Sequence, residues 1–490
     1  MYSGSGFQDS ELGDVAIVKE GGLYHLFHLI LPNHDYIAHA VSNDGFLWRR
    51  VNNALFIGDP GQWDDDMLWT MHVSKDPDVQ GRWRMFYTGI ARVEGGKIQR
   101  IGLAYSFDLY SWKKSEEGSY PLSIESPYYE ESLSEGRHWI SCRDPFFFAE
   151  AQKRYLLLSA RVPYGPVIRR GCVALAQEIR PNRFEWLPPI FFPRMYDDIE
   201  VPSLYKLKDR YYLLGNIRED IKVHYWHSDN LFGEYEAYAN NVLLPRGNYA
   251  ARFNVDEEES LVWNFFYSGI QEEGFRLLPP PKRVILMPDG HLELRSFSGF
   301  DQKVQQIWEQ KDLKPLQRVL KNPTARLFTQ GDQIQLFTDS AYEIFFFNKK
   351  IKDFRLRFNL CMEGRGKCGI IFRSDVNANA YFASLDLING YAQIRSWREN
   401  QEMGTHAFDY KNLQENNFIS NKNLAFRIEL VCFGGYIELS IDQKIILSLV
   451  DTSSMKDDFL GIYLESAHIT LENLSLEELN GPQTENYGPL

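Results

Sequence analysis

Cysteine is scarce in this chain. The five that occur in 490 residues, at 142, 172, 361, 368 and 432, form no Cys-x-x-Cys pair. That spacing argues against both a disulfide framework and a thiolate zinc site, and no metal or organic cofactor is called for. Positive charge is also short: 53 Lys and Arg stand against 66 Asp and Glu, a formal charge of −13. Such a surface repels phosphate backbones, so no nucleic-acid partner is expected. Apolar runs are brief, Leu26–Leu31 being among the longest. A helical span needs about 20 consecutive apolar residues, so no membrane partner is expected either. The first fourteen residues carry no basic stretch followed by an apolar one, and the expectation is a cytoplasmic protein.

Aromatic residues are abundant, with 27 Tyr, 33 Phe and 11 Trp making up 14 % of the chain. They suit two settings: pleated sheets, where flat side chains pack well, and sugar sites, where rings stack on sugar faces. Over the first 300 residues, short strand-like runs such as LYHLFHLIL, WRMFYTGIA and RYLLLSAR are separated by turn signals. A weak repeat runs through them. Ser42-Asn43-Asp44-Gly45-Phe46-Leu47-Trp48 recurs as Ser106-Phe107-Asp108-Leu109-Tyr110-Ser111-Trp112, with a degenerate copy at Ser228-Asp229-Asn230. Each copy follows two strands, and the first two copies lie 64 residues apart, a period that suits four-stranded propeller blades. Asp and Ser in these turns satisfy backbone groups, and the Trp fills space between blades.

The pattern breaks near residue 298. A charged, partly helical linker is predicted at 299–325, followed by about ten alternating strands in 326–490. The predicted fold is all-β: a five-bladed propeller over 1–298, then an antiparallel sandwich.

Most carboxylates in such a chain are solvated turn residues. Three have a special setting. Asp14 begins the first strand, Asp144 lies in Cys142-Arg143-Asp144-Pro145, and Glu200 lies in Glu200-Val201-Pro202. Each opens the innermost strand of a different blade, so all three are expected to converge on one central channel. Converging carboxylates raise one another's pKa, and a fold that gathers them can use one as an acid and another as a nucleophile or base. That is the arrangement of glycoside hydrolysis.

The sequence resembles glycoside hydrolase family 32, the invertase, inulinase and levanase family. The resemblance rests on Arg143-Asp144-Pro145, on Tyr24-His25-Leu26-Phe27, on the run from His39-Ala40 through Ser42, Asp44 and Trp48 to Ala54-Leu55, and on Glu200-Val201-Pro202, where the family has Glu-Cys-Pro. It implies a carbohydrate substrate and retaining cleavage of β-fructofuranosides. By resemblance, Asp14 is the nucleophile, Glu200 the general acid/base, and Asp144 with Arg143 the group that holds sugar hydroxyls. Burial beside Asp14 and Asp144 is expected to raise the Glu200 carboxyl. Gly13-Asp14-Val15 differs from the family's Asn-Asp-Pro, and no Ser-Gly-Ser segment occurs around Trp69 to His72. An inverting pentofuranosidase, a fructosyltransferase and a non-catalytic sugar-binding propeller remain as alternatives, and homo-oligomerisation is left open.

Trp69, His72, His224 and Trp226 are further expected substrate contacts. Arg252 and Asn254 are weaker ones, while Trp263 and Cys142 read as packing residues. Asp64, Asp65 and Asp66 read as a solvated acidic loop rather than a metal site.

Overall fold

The structure, a computed structural model, describes residues 2–4, 11–117, 120–255, 259–268, 276–313, 317–400, 407–451 and 458–482. It is built from strands, with nothing helical longer than a six-residue 3-10 turn among the described residues. The chain divides into two compact units, one spanning Tyr2–Leu292 and the other beginning at Glu293.

The first unit contains five antiparallel sheets in chain order, each built from consecutive strands. Their first strands are Glu11–Glu20, Met67–Lys75, Arg143–Glu150, Glu200–Leu207 and Asn248–Asn254. These strands touch one another in sequence, and the fifth touches the first, so they close a ring. A ring of radially placed sheets of four or five strands is a propeller, the predicted architecture. Apolar side chains from adjacent sheets interleave between them. Phe27, Met71, Met85 and Leu109 pack between the first and second sheets; Phe86, Leu103, Leu156 and Cys172 pack between the second and third.

The repeated turns are structural, as their composition suggested. Ser42 Oγ accepts the Gly45 N–H and Asp44 Oδ1 accepts those of Phe46 and Leu47. Ser106 and Asp108 do the same for Leu109, Tyr110 and Ser111. The Trp that follows packs onto a neighbouring sheet, Trp112 against Phe27 and Trp48 against Trp263.

The second unit is a two-sheet sandwich of eight and seven strands, with Phe354 and Phe372 meeting edge to face across it. The stretch at 299–325, expected to be a partly helical linker, carries two 3-10 turns and short strands that join these sheets. Val304–Glu309 pairs with the final strand, and Gln317–Arg318 pairs with Tyr342–Lys350. The buried Glu343 carboxylate accepts the backbone N–H groups of Leu320 and Asn322, which ties the segment down. Among the described residues its helical content is two 3-10 turns.

Candidate active site

All five first strands slip register near the centre of the ring. The breaks fall between Leu12 and Val15, Trp69 and Met71, Arg143 and Phe146, Glu200 and Ser203, and Tyr249 and Arg252. A β-bulge bends its strand and re-aims the side chains beside it. Here the repeated bulge turns Asp14, Thr70 and Asp144 inward, while Trp69, Arg143, Glu200 and Tyr249 stand at the last paired position before it. Together they line one cavity of about 460 Å³, a volume suited to a small ligand.

Three bulges place a side chain in the left-handed backbone region: Asp144 at φ 59°, Val201 at 47° and Ala250 at 54°. Such conformations are costly for non-glycine residues, and a β-branched valine before a proline is the most costly of them. Local hydrogen bonds hold them. Thr88 Oγ1 accepts the Asp144 N–H at 3.1 Å, Asp144 Oδ2 accepts the Val201 N–H at 2.9 Å, and Asn216 Oδ1 accepts the Ala250 N–H at 2.9 Å. Thr88 and Asn216 occupy matching places on their second strands, opposite Trp69 and Glu200. Asn216 also donates to the Glu200 carbonyl at 3.1 Å.

Arg143 links the acids. Its Nη2 donates to Glu200 Oε1 at 2.9 Å, and its Nε lies 3.5 Å from Asp144 Oδ2. The Tyr249 hydroxyl donates to the other Glu200 oxygen, and the Thr70 hydroxyl donates to Asp14 Oδ2. Burial first, then the charges of Asp144 and Glu200, push the Asp14 carboxyl up to about 7; Thr70 and Arg252 oppose the rise. Burial also raises Asp144, against the pull of Arg143. The acid expected to be raised was Glu200; the structure raises Asp14 and Asp144 in that way. Asp14 is therefore partly protonated near neutral pH.

A second compartment of about 420 Å³ shares Trp69, Arg143, Glu200 and Arg218 with the first and adds Lys97, His138 and Trp139. Trp69 thus stands between two spaces, and its indole nitrogen is buried with no hydrogen-bond partner.

Three expected contacts lie elsewhere. His72 is buried between sheets, its Nδ1 accepting the Phe147 N–H at 3.1 Å and its ring against Phe146 at 4.4 Å. Burial and the nearby Arg252 and Arg84 hold its pKa well below the usual imidazole value. His224 and Trp226 sit on the third strand of their sheet, away from the axis. His224 Nε2 pairs with Asp220 at 2.8 Å, and Trp226 packs on Phe191 at 4.8 Å. Arg252 lies behind the cavity, donating to the backbone carbonyls of Val201, Pro202 and Pro145. Asn254 does not line the cavity.

The packing assignments agree with the structure. Trp263 is buried against Tyr24 and Trp48, and Cys142 is a buried thiol that burial pushes up to about 12. Asp64 accepts from Tyr87 and Lys114, and Asp65 caps the Gly61 and Arg92 N–H groups. No metal-holding group of three side chains occurs among the described residues. Sequence reasoning missed Thr70, Tyr249, His34 and Arg276, all at the cavity. The only signal for Thr70 and Tyr249 is their place beside a bulge, and a bulge has no fixed sequence signature.

No family model matches the sequence, and no curated protein does. Solved structures do share the fold. A family 32 β-fructofuranosidase from Bombyx mori is 13 % identical, covering 97 % of this chain and 92 % of that one, with a TM-score of 0.65. Fructan 1-exohydrolase IIa from Cichorium intybus is 13 % identical over 97 % of both chains, with a TM-score of 0.69. Exo-inulinase from Aspergillus awamori is 14 % identical over 96 % of both, with a TM-score of 0.68. The likeness runs through both units and is one of fold.

Proposed function

We propose that the protein is a glycosidase that hydrolyses β-fructofuranosides with retention of configuration. The observation that carries this reading is the convergence of Asp14, Asp144 and Glu200 on one cavity, with Arg143 between the last two. The fold likeness to β-fructofuranosidases, a fructan exohydrolase and an inulinase supports the substrate class. One solved relative of the same fold, fructan 1-exohydrolase IIa, is in complex with 1-kestose.

In this mechanism Asp14, ionised and oriented by the Thr70 hydroxyl, attacks the anomeric carbon. Glu200, oriented by Tyr249 and Arg143, gives its proton to the leaving oxygen. Water, deprotonated by Glu200, then releases the sugar from Asp14. Asp144, fixed by the Val201 N–H, accepts hydrogen bonds from sugar hydroxyls, and these tighten as positive charge develops on the ring. The productive state has Asp14 ionised and Glu200 protonated.

The test is a panel of sucrose, short fructo-oligosaccharides, inulin and levan, with proton NMR of the first-formed product. Turnover with the β-anomer released first is expected, and Glu200→Gln and Asp14→Asn should each lower kcat by about 10³-fold or more with folding intact. An absence of turnover across the panel, or wild-type rates in both variants, rejects the assignment. A first-formed product of inverted configuration rejects the nucleophilic role of Asp14. Action in the cytoplasm is part of the same proposal, supported by five free cysteines; finding the activity outside the cell rather than in the cytosolic fraction rejects it.

A further inference from the structure

Arg143 faces more negative charge than one guanidinium neutralises. Besides Glu200 and Asp144, its Nη2 lies 3.4 Å from Asp198 Oδ2, and its Nη1 donates to Ser141 Oγ at 3.0 Å. Asp198 is buried two residues ahead of Glu200 and has its own cation. Arg137 grips it with both terminal nitrogens, Nη1 on Oδ2 and Nη2 on Oδ1 at 3.1 Å, the bidentate geometry that makes such pairs strong. Arg137 lies over the Trp139 ring at 4.1 Å and pairs with Asp197 at 3.0 Å; Asp197 in turn pairs with Arg161 and Arg218. An alternating chain of charges thus runs from the buried Arg161 to Glu200. None of the steps assigned above uses Asp198 or Arg137.

We propose that Asp198 and Arg137 are positioning residues that govern the protonation of the Asp14–Asp144–Glu200 cluster by dividing the Arg143 guanidinium between Asp198 and the acids. The inference rests on the proposed hydrolysis for its biological meaning but not for its physical test. Asp198 draws Arg143 back from Glu200 and adds negative potential behind the cluster; Arg137 tempers both effects. Although burial opposes it, Arg143 and then Arg137 hold the Asp198 carboxyl below its usual range, so it stays a fixed anion while the cluster titrates. The charged and titratable groups facing the cluster come from every neighbouring strand. They are His34 on the first sheet, Arg143 on the third, Arg218 and the approaching Asp198 on the fourth, and Tyr249, Arg252 and Arg276 on the fifth. Behind Asp198 stand Arg137, Arg161 and the Cys172 thiol.

The signs are opposite for the two partners. Asp198→Asn removes a negative charge and frees Arg143 for the acids, which favours ionisation; the alkaline limb of kcat/KM should move down by about half to one pH unit. Arg137→Gln removes a positive charge, and the limb should move up by a similar amount. Arg137→Lys keeps the charge but loses the fork, and should leave the limb in place. The same shifts can be followed without substrate, by carboxyl-carbon NMR titration of the protein, with circular dichroism establishing that each variant is folded. A role limited to holding the fold would lower activity or melting temperature without moving the two limbs in opposite directions. Limbs that stay put, or that move together, overturn the proposal. Opposite NMR shifts in a protein that turns over no fructoside uphold it and reject the proposed function.

Discussion

Asp14 is the residue whose environment departs furthest from that of an exposed carboxylate. Its pKa, near 4 in an unfolded chain, rises to about 7 in the folded protein because it is buried beside Asp144 and Glu200. A raised acid means that the folded state binds more protons than the unfolded one, so stability is lost as pH climbs from about 4 to about 7. Asp14→Asn removes that penalty. Thermal melts should place the variant a few degrees above wild type at pH 8, with the gap closing by pH 4. If the wild type gains stability on going from pH 4 to pH 8, the burial of this charge has been misjudged. The same titration should bound activity from below: Asp14 must be ionised to attack, so kcat/KM should fall as the pH drops below about 7.

At the scale of elements, the site depends on five bulges at one level of the ring and on the side chains that pin them. Asn216 is the clearest pin, joining the Ala250 N–H to the Glu200 carbonyl across two sheets. Asn216→Ala leaves both backbone groups unpaired and buried. The expected cost is about 1–3 kcal/mol in a denaturant titration, together with a fall in kcat of roughly tenfold or more from misplacement of Glu200. Thr88→Val should cost a similar amount at Asp144, whose N–H it leaves unpaired. A neutral outcome at both positions would show that the bulges hold without these bonds.

At the scale of the molecule, the propeller is closed by packing between sheets that have no backbone pairing to one another. Away from the cavity, a buried ion pair also crosses such a seam. Arg84, fully buried on the second sheet, donates to Glu178 at 2.8 Å and Asn182 at 3.2 Å on the third, with Phe147 beneath its guanidinium at 4.2 Å. Removing one partner of a buried pair strands the other charge, so Arg84→Met should cost about 3–5 kcal/mol by denaturant unfolding. Pairing it with Glu178→Gln should recover part of that loss, since the stranded charge goes with it. Activity of the folded fraction at low temperature should stay near wild type, because Arg84 does not line the cavity.

The sequence by itself determined the all-β architecture and pointed to three acids that the structure brings to one cavity. Strand runs broken by Ser-x-Asp turns leave few alternatives to a ring of sheets, and the Arg143-Asp144-Pro145 and Glu200-Val201-Pro202 contexts mark strand starts that must face the axis. What only the tertiary structure decided is the register at the bulges. One extra residue in a first strand reverses every later side chain, and nothing in the sequence shows where it falls, so Thr70 and Tyr249 went unmarked. The distribution of charge around Arg143 was hidden for a related reason. Arg137, Asp198 and Arg161 sit on a loop, a strand approach and a second strand, and their pairing is fixed by three-dimensional closure rather than by spacing along the chain.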